Sequence, residues 1–435
     1  MRYPKRRKPL AGAEELPDFL KIPKPLQEKF FTAVEEEVNN LVPEIRRFSE
    51  AVDRVRKEFS KGISRVNDSS RWRDMLVCVV DGSDVPALDD RIGVRYGLYA
   101  VAYKMFRGID AVEDGEGYFG DKLPGKISTR RETFLKLLDL LTTYYERLVA
   151  KTLLDSMKPD LLMVDGSFFG YRAGCSMVKK DPLNWRDPVT GKRFDTVFDL
   201  IDEINSLTMA LLESGKAVGV IKRVPTAAID GYLCYRHGLE MGLELSDRSI
   251  LSHLMKRGEV FDYEEIFGPD VRYDVFTWFR TAALDKSIAK KGPDAVLKKA
   301  EQRVKVQLVA DLTGWMGGRS PSWTQYADQP IVKAVRSTRR VFIKTVDDIP
   351  PICVEFSEKT PGEVAEDVLG YIYATANPAT GLPIVLDLVD DLVSLPRGIG
   401  REFVNEIEAE LLRRGLSRES LIAIFSRYNP QKDEP

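Results

Sequence analysis

Two copies of one tetrapeptide each follow a short apolar run and each carry a carboxylate. Val80-Asp81-Gly82-Ser83 closes the run 75–80, and Val164-Asp165-Gly166-Ser167 closes the run 161–164. Short, continuous apolar runs are typical of strands that are buried on both faces. Ligand sites of α/β sheets form where such strands end, so we expect Asp81 and Asp165 to converge there. Asp-Gly-Ser is also a common turn sequence, but its repetition after two buried strands favours a functional site.

A third carboxylate is expected beside these two. Neighbouring carboxylates repel each other unless a cation lies between them or one takes a proton, and a hard cation prefers several oxygen ligands. The helix predicted over 130–157 offers Glu132 and Glu146. Glu132 has Lys136 at i+4, which is an ordinary surface ion pair. Glu146 has no basic residue at i±3 or i±4, so we predict that Glu146 is the third metal ligand. The alternative is a solvent-exposed helical glutamate.

Two basic residues can contact a phosphate. Lys222 ends a third apolar run at 217–221, and Arg248 lies in the first turn of a helix that Ser246 is expected to cap. An arginine there can bind phosphate with two hydrogen bonds. The alternatives are a surface lysine whose stem covers apolar neighbours and a solvated arginine in an acidic first turn.

Three further features of the sequence are weaker indicators of function. Glu355 lies near the end of a strand predicted over 352–356, and we expect it to face solvent; the alternative is a further acidic residue near the site. The chain has two histidines, so a histidine-rich metal site is excluded. The GxGxxG match at 115–120 lacks the strand before it and the helix after it that dinucleotide binding requires, so 110–128 is predicted to be a loop.

Composition limits the class of protein. The 435 residues are 43% hydrophobic and 30% charged, which is typical of a globular protein. The net charge is -2, so nucleic-acid binding must come from a local patch. One basic run, which is alternatively a solvated tail, comprises Arg2, Lys5, Arg6, Arg7 and Lys8.

Cysteine usage and the N-terminus predict the compartment. The four cysteines form no CxxC pair, and Cys78 and Cys353 lie in apolar runs where we expect buried thiols. This usage fits a reducing environment. The N-terminus lacks the apolar segment of a signal peptide, and the apolar stretches are too short to span a bilayer. We therefore predict a cytoplasmic protein with no membrane partner.

The order of elements predicts an α/β fold with a mixed sheet, because strands alternate with helices. We expect a basic flexible tail at 1–23, a helical arm at 24–72, one large α/β domain at 73–428 and a tail at 429–435. The arm contains a helix over 25–60 that is interrupted near Pro43. Further strands are predicted within 94–106 and at 303–311, 339–346 and 352–356, and further helices at 195–213, 361–374, 386–394 and 399–426.

Together these residues resemble the NurA nuclease family over most of 75–395. The resemblance depends on an ordered set of motifs: the Asp81 strand end, the helical Glu146, the Asp165 strand end, the strand ending at Lys222, the Asp247-Arg248 helix with Gly258-Glu259 after it, and Gly381-Leu382-Pro383 before a helix.

The resemblance implies a ribonuclease-H-like mixed-sheet core with helical additions at both ends, acting as a homodimer. Family members cut single-stranded DNA and resect duplex ends in DNA repair, together with the hexameric HerA ATPase. They use Mn²⁺, and Mg²⁺ is the alternative cofactor. Carried over by position, Asp81, Glu146 and Asp165 are the metal ligands. Lys222 and Arg248 are the DNA-binding residues.

Two positions depart from the family. The family also uses a late tyrosine and a late histidine, and this chain has Leu382 and Asp390 in their places. Asp390 is therefore predicted to be a further catalytic residue that can bind metal. The departures keep open a second hypothesis, a catalytically weak DNA-binding subunit that regulates the motor ATPase. A third is a ribonuclease-H-like enzyme that acts on RNA.

Overall fold

The fold is taken from a computed structural model, which describes residues 21–67, 70–85, 88–317 and 322–427. The basic run at 2–8 and the predicted tail at 429–435 lie outside the described residues. The chain divides into two compact units, Met1–Lys57 and Glu58–Pro435. The domain boundaries expected from the sequence stay a prediction.

Most of the smaller unit's described residues belong to one long helix, α1, at Lys24–Phe59. The interruption predicted near Pro43 is wrong, because α1 continues through this proline. Proline removes one backbone hydrogen bond and crowds the preceding turn. In a helix of 36 residues the remaining bonds and the good helix formers around it sustain the helix.

The larger unit is built on a mixed sheet. The strands of the unit are β1 Ile63–Arg65, β2 Leu76–Asp84, β3 Asp89–Asp90, β4 Val94–Arg107, β5 Asp110–Lys126, β6 Leu161–Asp165, β7 Pro182–Arg186, β8 Arg193–Thr196, β9 Ala217–Ile221, β10 Glu259–Asp262, β11 Arg339–Ile343 and β12 Ile352–Phe356. Strands β7 and β8 form a separate two-stranded sheet. In the described residues the order across the sheet is β1-β10-β11-β12-β9-β6-β2-β4-β3, and β5 pairs with β4.

The centre of the sheet explains the apolar runs in the sequence. β2 is parallel to β6, and β6 is parallel to β9, whereas the other pairs are antiparallel. The three parallel strands are buried almost throughout, because helices cover both faces of the sheet. The meander β2-β4-β5 followed by parallel β6 and β9 is the arrangement expected of a ribonuclease-H-like core. The predicted mixed α/β fold class is confirmed.

Helices surround the sheet and supply most of the remaining core. They are α2 Arg131–Met157, α3 Cys175–Val178, α4 Val197–Glu213, α5 Ala228–His237, α6 Asp247–Leu254, α7 Tyr263–Phe267, α8 Arg272–Thr277, α9 Phe279–Ala283, α10 Lys286–Ala289, α11 Pro293–Leu312, α12 Pro330–Ser337, α13 Gly362–Ala374, α14 Ile384–Val393, α15 Ile399–Arg413 and α16 Arg418–Phe425. One core cluster joins β2, β6, β9 and β12 to the apolar faces of α13 and α14.

The loop predicted over 110–128 is wrong. This segment is β5, a strand of 17 residues that pairs with β4. Its glycines are used for close packing: a methyl group at Gly117 would lie 2.5 Å from the Tyr103 ring, and one at Gly125 would lie 2.4 Å from the Phe134 ring. The glycine and aspartate content of 110–128 favours a loop locally. Pairing with a long neighbouring strand outweighs that local preference.

Two other predictions also need correction. The strand predicted at 303–311 is part of α11, in which Val296, Ala300, Val304 and Leu308 are buried at intervals of four residues. That spacing is typical of a helix face. The single helix predicted over 399–426 is two helices, α15 and α16, because Gly415 adopts a φ of +90° between them.

The remaining predicted strands and helices agree with the structure within a few residues. The helices predicted at 130–157 and 195–213 correspond to α2 and α4, and Ser246 caps α6 by accepting a hydrogen bond from the Ser249 amide. Cys78 and Cys353 are buried free thiols. Within the part of the chain that the structure describes, no helix has the length and apolar character needed to cross a membrane.

Replacement of Gly231 by alanine tests the packing of α5 against α8. A methyl group there would lie 1.8 Å from the backbone oxygen of Phe276, so the two helices must separate. We expect Gly231→Ala to lower the free energy of unfolding by about 1–3 kcal/mol despite the better helix propensity of alanine. Denaturant unfolding measures the loss.

The matched control is Gly362→Ala at the start of α13, where a methyl group meets nothing within 4 Å. This variant should unfold at the same denaturant concentration as the wild type or a higher one. If Gly231→Ala were as stable as this control, the close approach of α5 and α8 would be wrong.

Candidate metal centre

The backbone places two of the predicted carboxylates side by side. Val80 of β2 is in register with Val164 of the parallel β6. Because the next residue along each strand is the aspartate, Asp81 and Asp165 lie side by side. Asp165 ends β6 as expected, but the expectation that Asp81 ends its strand is wrong, because β2 continues to Asp84 in pairing with β4. The strands are held in this register by a continuous buried core, so the positions of both side chains follow from the apolar runs that precede them.

Asp390 on α14 completes a cluster with these two residues. One carboxylate oxygen from each of Asp81, Asp165 and Asp390 can be chosen so that all three lie within 4.8 Å of one another. Among the described residues, no other group of three or more acidic, histidine or cysteine side chains comes this close together. Three carboxylates at this separation match the oxygen ligands that Mn²⁺ and Mg²⁺ prefer, so the residues fit a divalent cation.

Lys222 lies in the middle of the cluster. Its Nζ is 2.7 Å from Asp165 Oδ2 and 3.0 Å from Asp390 Oδ1. Burial alone would lower the pKa of Lys222, but the Asp165 and Asp390 carboxylates outweigh burial and raise it to about 12. The ammonium group is therefore a resident positive charge among the carboxylates.

Burial opposes ionisation of the acidic groups. Burial, with the charges of Asp165 and Glu146 added to it, raises the pKa of Asp81 to about 9. Burial also raises the pKa of Asp165, although the Lys222 ammonium counteracts it. One ammonium group is thus too little to keep all these carboxylates ionised at neutral pH. A divalent cation would supply the missing positive charge.

Glu146 lies at the same site but in a different environment. Its side chain on α2 contacts the backbone of Gly82, where a methyl group would lie 3.3 Å from Glu146 Oε2. Its Oε1 accepts a hydrogen bond of 2.6 Å from the buried guanidinium of Arg147. Burial raises the pKa of Glu146 to about 7, with Arg147 opposing the shift. Whether Glu146 binds metal directly stays a prediction.

The expectation that Glu355 faces solvent is wrong, since its side chain is 1% exposed. Ser167 Oγ donates to its carboxylate at 2.8 Å, and the Phe168 amide donates at 2.8 Å. Arg340 Nε donates to the same carboxylate at 2.7 Å. Arg147 holds the other side of this turn by donating to the Ser167 backbone oxygen at 3.2 Å. Glu355 and Arg147 therefore fix the turn that follows Asp165, and sequence reasoning missed both roles.

Arg248 lies in a neighbouring cleft. Its Nε donates to the Pro351 backbone oxygen at 3.1 Å, and burial and the nearby Arg223 lower its pKa. Arg223 lines both this cleft and the cleft of the acidic cluster, so the two are adjacent. Asp247 beside it is fully buried and accepts hydrogen bonds from the first amides of α5. Arg248 as a DNA-binding residue stays a prediction.

Leu382, which stands where the resembled family has a tyrosine, has a structural role. Leu382 is 6% exposed and belongs to the core cluster beneath α14. Its side chain therefore packs in the interior, whereas Asp390 on α14 reaches the acidic cluster.

Comparisons with known proteins agree with this fold. A family model described as "NurA domain" matches residues 75–306. A solved structure of the NurA nuclease from Sulfolobus solfataricus is similar with a TM-score of 0.51 and 12% identity, covering 91% of this chain and 99% of that one. A structure of NurA with manganese has a TM-score of 0.43 and 10% identity, with 89% and 99% covered. The search of curated proteins found no match.

Lys222→Met tests whether the lysine compensates the acidic cluster. Without its ammonium group the cation-free protein keeps uncompensated negative charge, so we expect a loss of about 1–3 kcal/mol in unfolding free energy, below the cost of breaking a fully buried pair. Added Mn²⁺ should then raise the melting temperature more in this variant than in the wild type, because no ammonium competes for the carboxylates. Calorimetry with and without MnCl₂ measures both effects.

The matched control is Lys151→Met, which removes an exposed helical ion pair with Asp155. Such pairs contribute less than about 1 kcal/mol, so this variant should melt and respond to Mn²⁺ as the wild type does. An unchanged Mn²⁺ response in Lys222→Met would show that the lysine and the cation do not share a position.

Proposed function

This chain belongs to the NurA family, and on that premise we propose that it is a divalent-metal-dependent deoxyribonuclease that cuts single-stranded DNA and DNA ends. The observation that carries the proposal is the cluster of Asp81, Asp165 and Asp390 oxygens within 4.8 Å beside the Lys222 ammonium. Mn²⁺ is the proposed cofactor, with Mg²⁺ as the alternative, because the donors are all carboxylate oxygens.

The residues of the chain have separate tasks in this proposal. Asp81, Asp165 and Asp390 would hold the cation, with Glu146 as a fourth acidic group at the same site. A bound divalent cation lowers the pKa of a bound water and stabilises charge on the attacked phosphodiester. The Arg147 guanidinium holds the Glu146 carboxylate in place. Glu355 keeps the turn after Asp165 rigid through Ser167 and thereby preserves the ligand geometry.

Basic side chains beside the cluster would hold the phosphate backbone. With a cation held by the carboxylates, Lys222 would no longer be needed to balance their charge and would be available to a phosphate. Arg223 is exposed in the same cleft, and Arg248 lines the adjoining one. Contacts of this kind position the strand without reading its sequence. The proposed nuclease is therefore indifferent to base sequence at the scissile phosphate.

Asp81→Asn tests the cleavage reaction directly. The change keeps the size of the side chain but removes one charged ligand, so Mn²⁺-dependent cleavage of a labelled single-stranded oligonucleotide should fall by at least about 100-fold. Asp155→Asn, a charge-neutralising change on the exposed face of α2, should cleave at the wild-type rate. Rates with EDTA, Mg²⁺ or Mn²⁺ show the metal requirement.

The same assay separates the alternatives. If wild type and Asp81→Asn were equally inactive while both bound a hexameric HerA-type ATPase, the chain would be a regulatory DNA-binding subunit of that motor. Faster cleavage of RNA than of a DNA oligonucleotide of the same sequence would favour the RNA-specific hypothesis. The buried Leu382 in place of a family tyrosine is the observation that keeps the regulatory alternative open.

Action in DNA end resection with a HerA-type hexameric ATPase and assembly as a homodimer belong to the same proposal. An apolar face of α1 supports the second of these. Val34, Val38, Leu41 and Ile45 follow one another at intervals of three or four residues, and each is at least 40% exposed. Such a stripe is typical of helices that pair with another helix. A second copy of this chain would cover the stripe.

Val38→Glu tests this surface. A charge in the middle of the apolar stripe should shift the oligomer toward monomer, because burial of an unpaired carboxylate is unfavourable. Light scattering after size-exclusion chromatography gives the mass of each variant. The control Asn39→Glu adds the same charge beside the stripe and should retain the wild-type mass. A wild type that is monomeric, or a Val38→Glu protein that remains dimeric, would exclude α1 as the contact.

A further inference from the structure

The acidic cluster opens into a large cleft that contains more than metal-binding chemistry. The cleft has a volume of about 1140 Å³ and is lined by Asp81, Asp165 and Asp390 together with Trp278 from the end of α8. Pockets for drug-sized ligands measure about 300–1,000 Å³. The cleft thus has room for more than the one phosphate that the cluster would engage.

Trp278 presents an aromatic surface to this cleft. Its side chain is half-buried, and the guanidinium carbon of Arg303 lies 4.1 Å from the centre of its ring. Arg303 projects from α11 and covers one face of the indole. Trp278 also lines the cleft, and part of its side chain is exposed. The arginine also holds the ring in a fixed orientation, since a cation over the indole face is attracted to it.

The other aromatic residues that line this cleft in the described residues are already covered. Phe169 is 4% exposed. Tyr273 is enclosed between the Arg340 guanidinium, 4.6 Å from its ring centre, and the parallel ring of Tyr263 at 5.3 Å. Among the described aromatic residues that line the cleft, Trp278 is therefore the one whose side chain is not buried.

Two arginines of the cleft, Arg172 and Arg223, can contact a phosphate backbone. Arg223 is exposed in the cleft, and Arg172 is half-buried there and ion-paired with Asp274 at 3.0 Å. Basic groups beside an aromatic platform are the combination by which proteins bind single-stranded nucleic acid, because the backbone is anionic and every base has a π-face. Bases inside a duplex are stacked on each other and are not available to such a platform.

We propose that Trp278 is a nucleobase-stacking site that takes an unpaired base of the strand whose phosphate lies at the acidic cluster. This proposal rests on the proposed nuclease function and deepens it, because it assigns selection for single-stranded substrate to one side chain. The stacking tolerates any base. It rejects internal bases of a paired duplex, which must first be separated.

The experiment compares a labelled oligothymidylate with an oligonucleotide of the same length in which abasic sites replace the bases. Binding is measured by fluorescence anisotropy in EDTA, so that no cleavage occurs. The wild type should prefer the oligothymidylate, and Trp278→Ala should weaken that binding by about tenfold or more. Binding of the abasic oligonucleotide should be unchanged by the substitution, and Trp278→Phe should restore most of the preference.

Trp72→Ala is the matched control, because Trp72 is also half-buried and has an arginine, Arg73, 4.8 Å from its ring centre, but lies outside the cleft. It should bind both oligonucleotides as the wild type does. Equal wild-type affinity for the two oligonucleotides would overturn the proposal, as would an equal loss for both in Trp278→Ala.

A cleavage assay keeps this result separate from the nuclease proposal. Asp81→Asn should lose Mn²⁺-dependent cleavage and keep the preference for bases over abasic sites. A wild type that prefers bases but never cleaves would refute the nuclease proposal and support the stacking site. A wild type that cleaves but shows no preference for bases would support the nuclease proposal and refute the stacking site.

Discussion

Negative charge that is enclosed by protein must be balanced, and this constraint governs the centre of the molecule. Carboxylate oxygens of Asp81, Asp165 and Asp390 lie within 4.8 Å of one another, and burial raises the pKa values of Asp81 and Asp165. Carboxylates brought this close require a proton or a cation. The Lys222 ammonium supplies part of the balance. The remaining deficit is the physical basis for assigning a divalent cation to this place.

The rest of the fold keeps this unfavourable arrangement in position. The parallel strands β2 and β6 deliver two of the carboxylates in register, and the buried core around them prevents slippage. Small residues provide the space: a methyl group at Gly219 of β9 would lie 2.6 Å from the backbone oxygen of Gly166. Glu355 and Arg147 fix the turn between these elements. The stability of the core thus offsets the repulsion between the clustered carboxylates.

The parts of this site that could be predicted are those with local sequence signals. Asp81 and Asp165 follow apolar runs, and a carboxylate directly after a buried apolar run can be recognised without a structure. Asp390 came from the resemblance alone, because nothing in the periodicity of α14 places it near the strands. The burial of Glu355 was missed because its partners are 188 and 15 residues away along the chain. The contact of Arg147 with Glu146 was missed because the two residues are adjacent, whereas helical side chains usually pair at spacings of three and four.

Larger errors in the fold share one physical cause. β5 is rich in glycine and aspartate, and α11 contains β-branched residues over 303–311, so local preference favoured a loop and a strand. In both places contacts with distant elements decide the conformation: β4 pairs along β5, and one face of α11 is buried. Propensity is a weak guide wherever such contacts are extensive.

The position of Lys222 between two metal-binding candidates has a thermodynamic consequence. If the proposed function holds, a cation bound at the cluster would displace the ammonium group from Asp165 and Asp390, and the freed group would gain affinity for a phosphate. Metal and nucleic acid would then be linked ligands, and linkage is reciprocal: whatever the metal added to the affinity for a strand, the strand would add to the affinity for the metal. Substrate itself would thus recruit the cofactor, so scarce metal would concentrate on molecules already engaged with DNA.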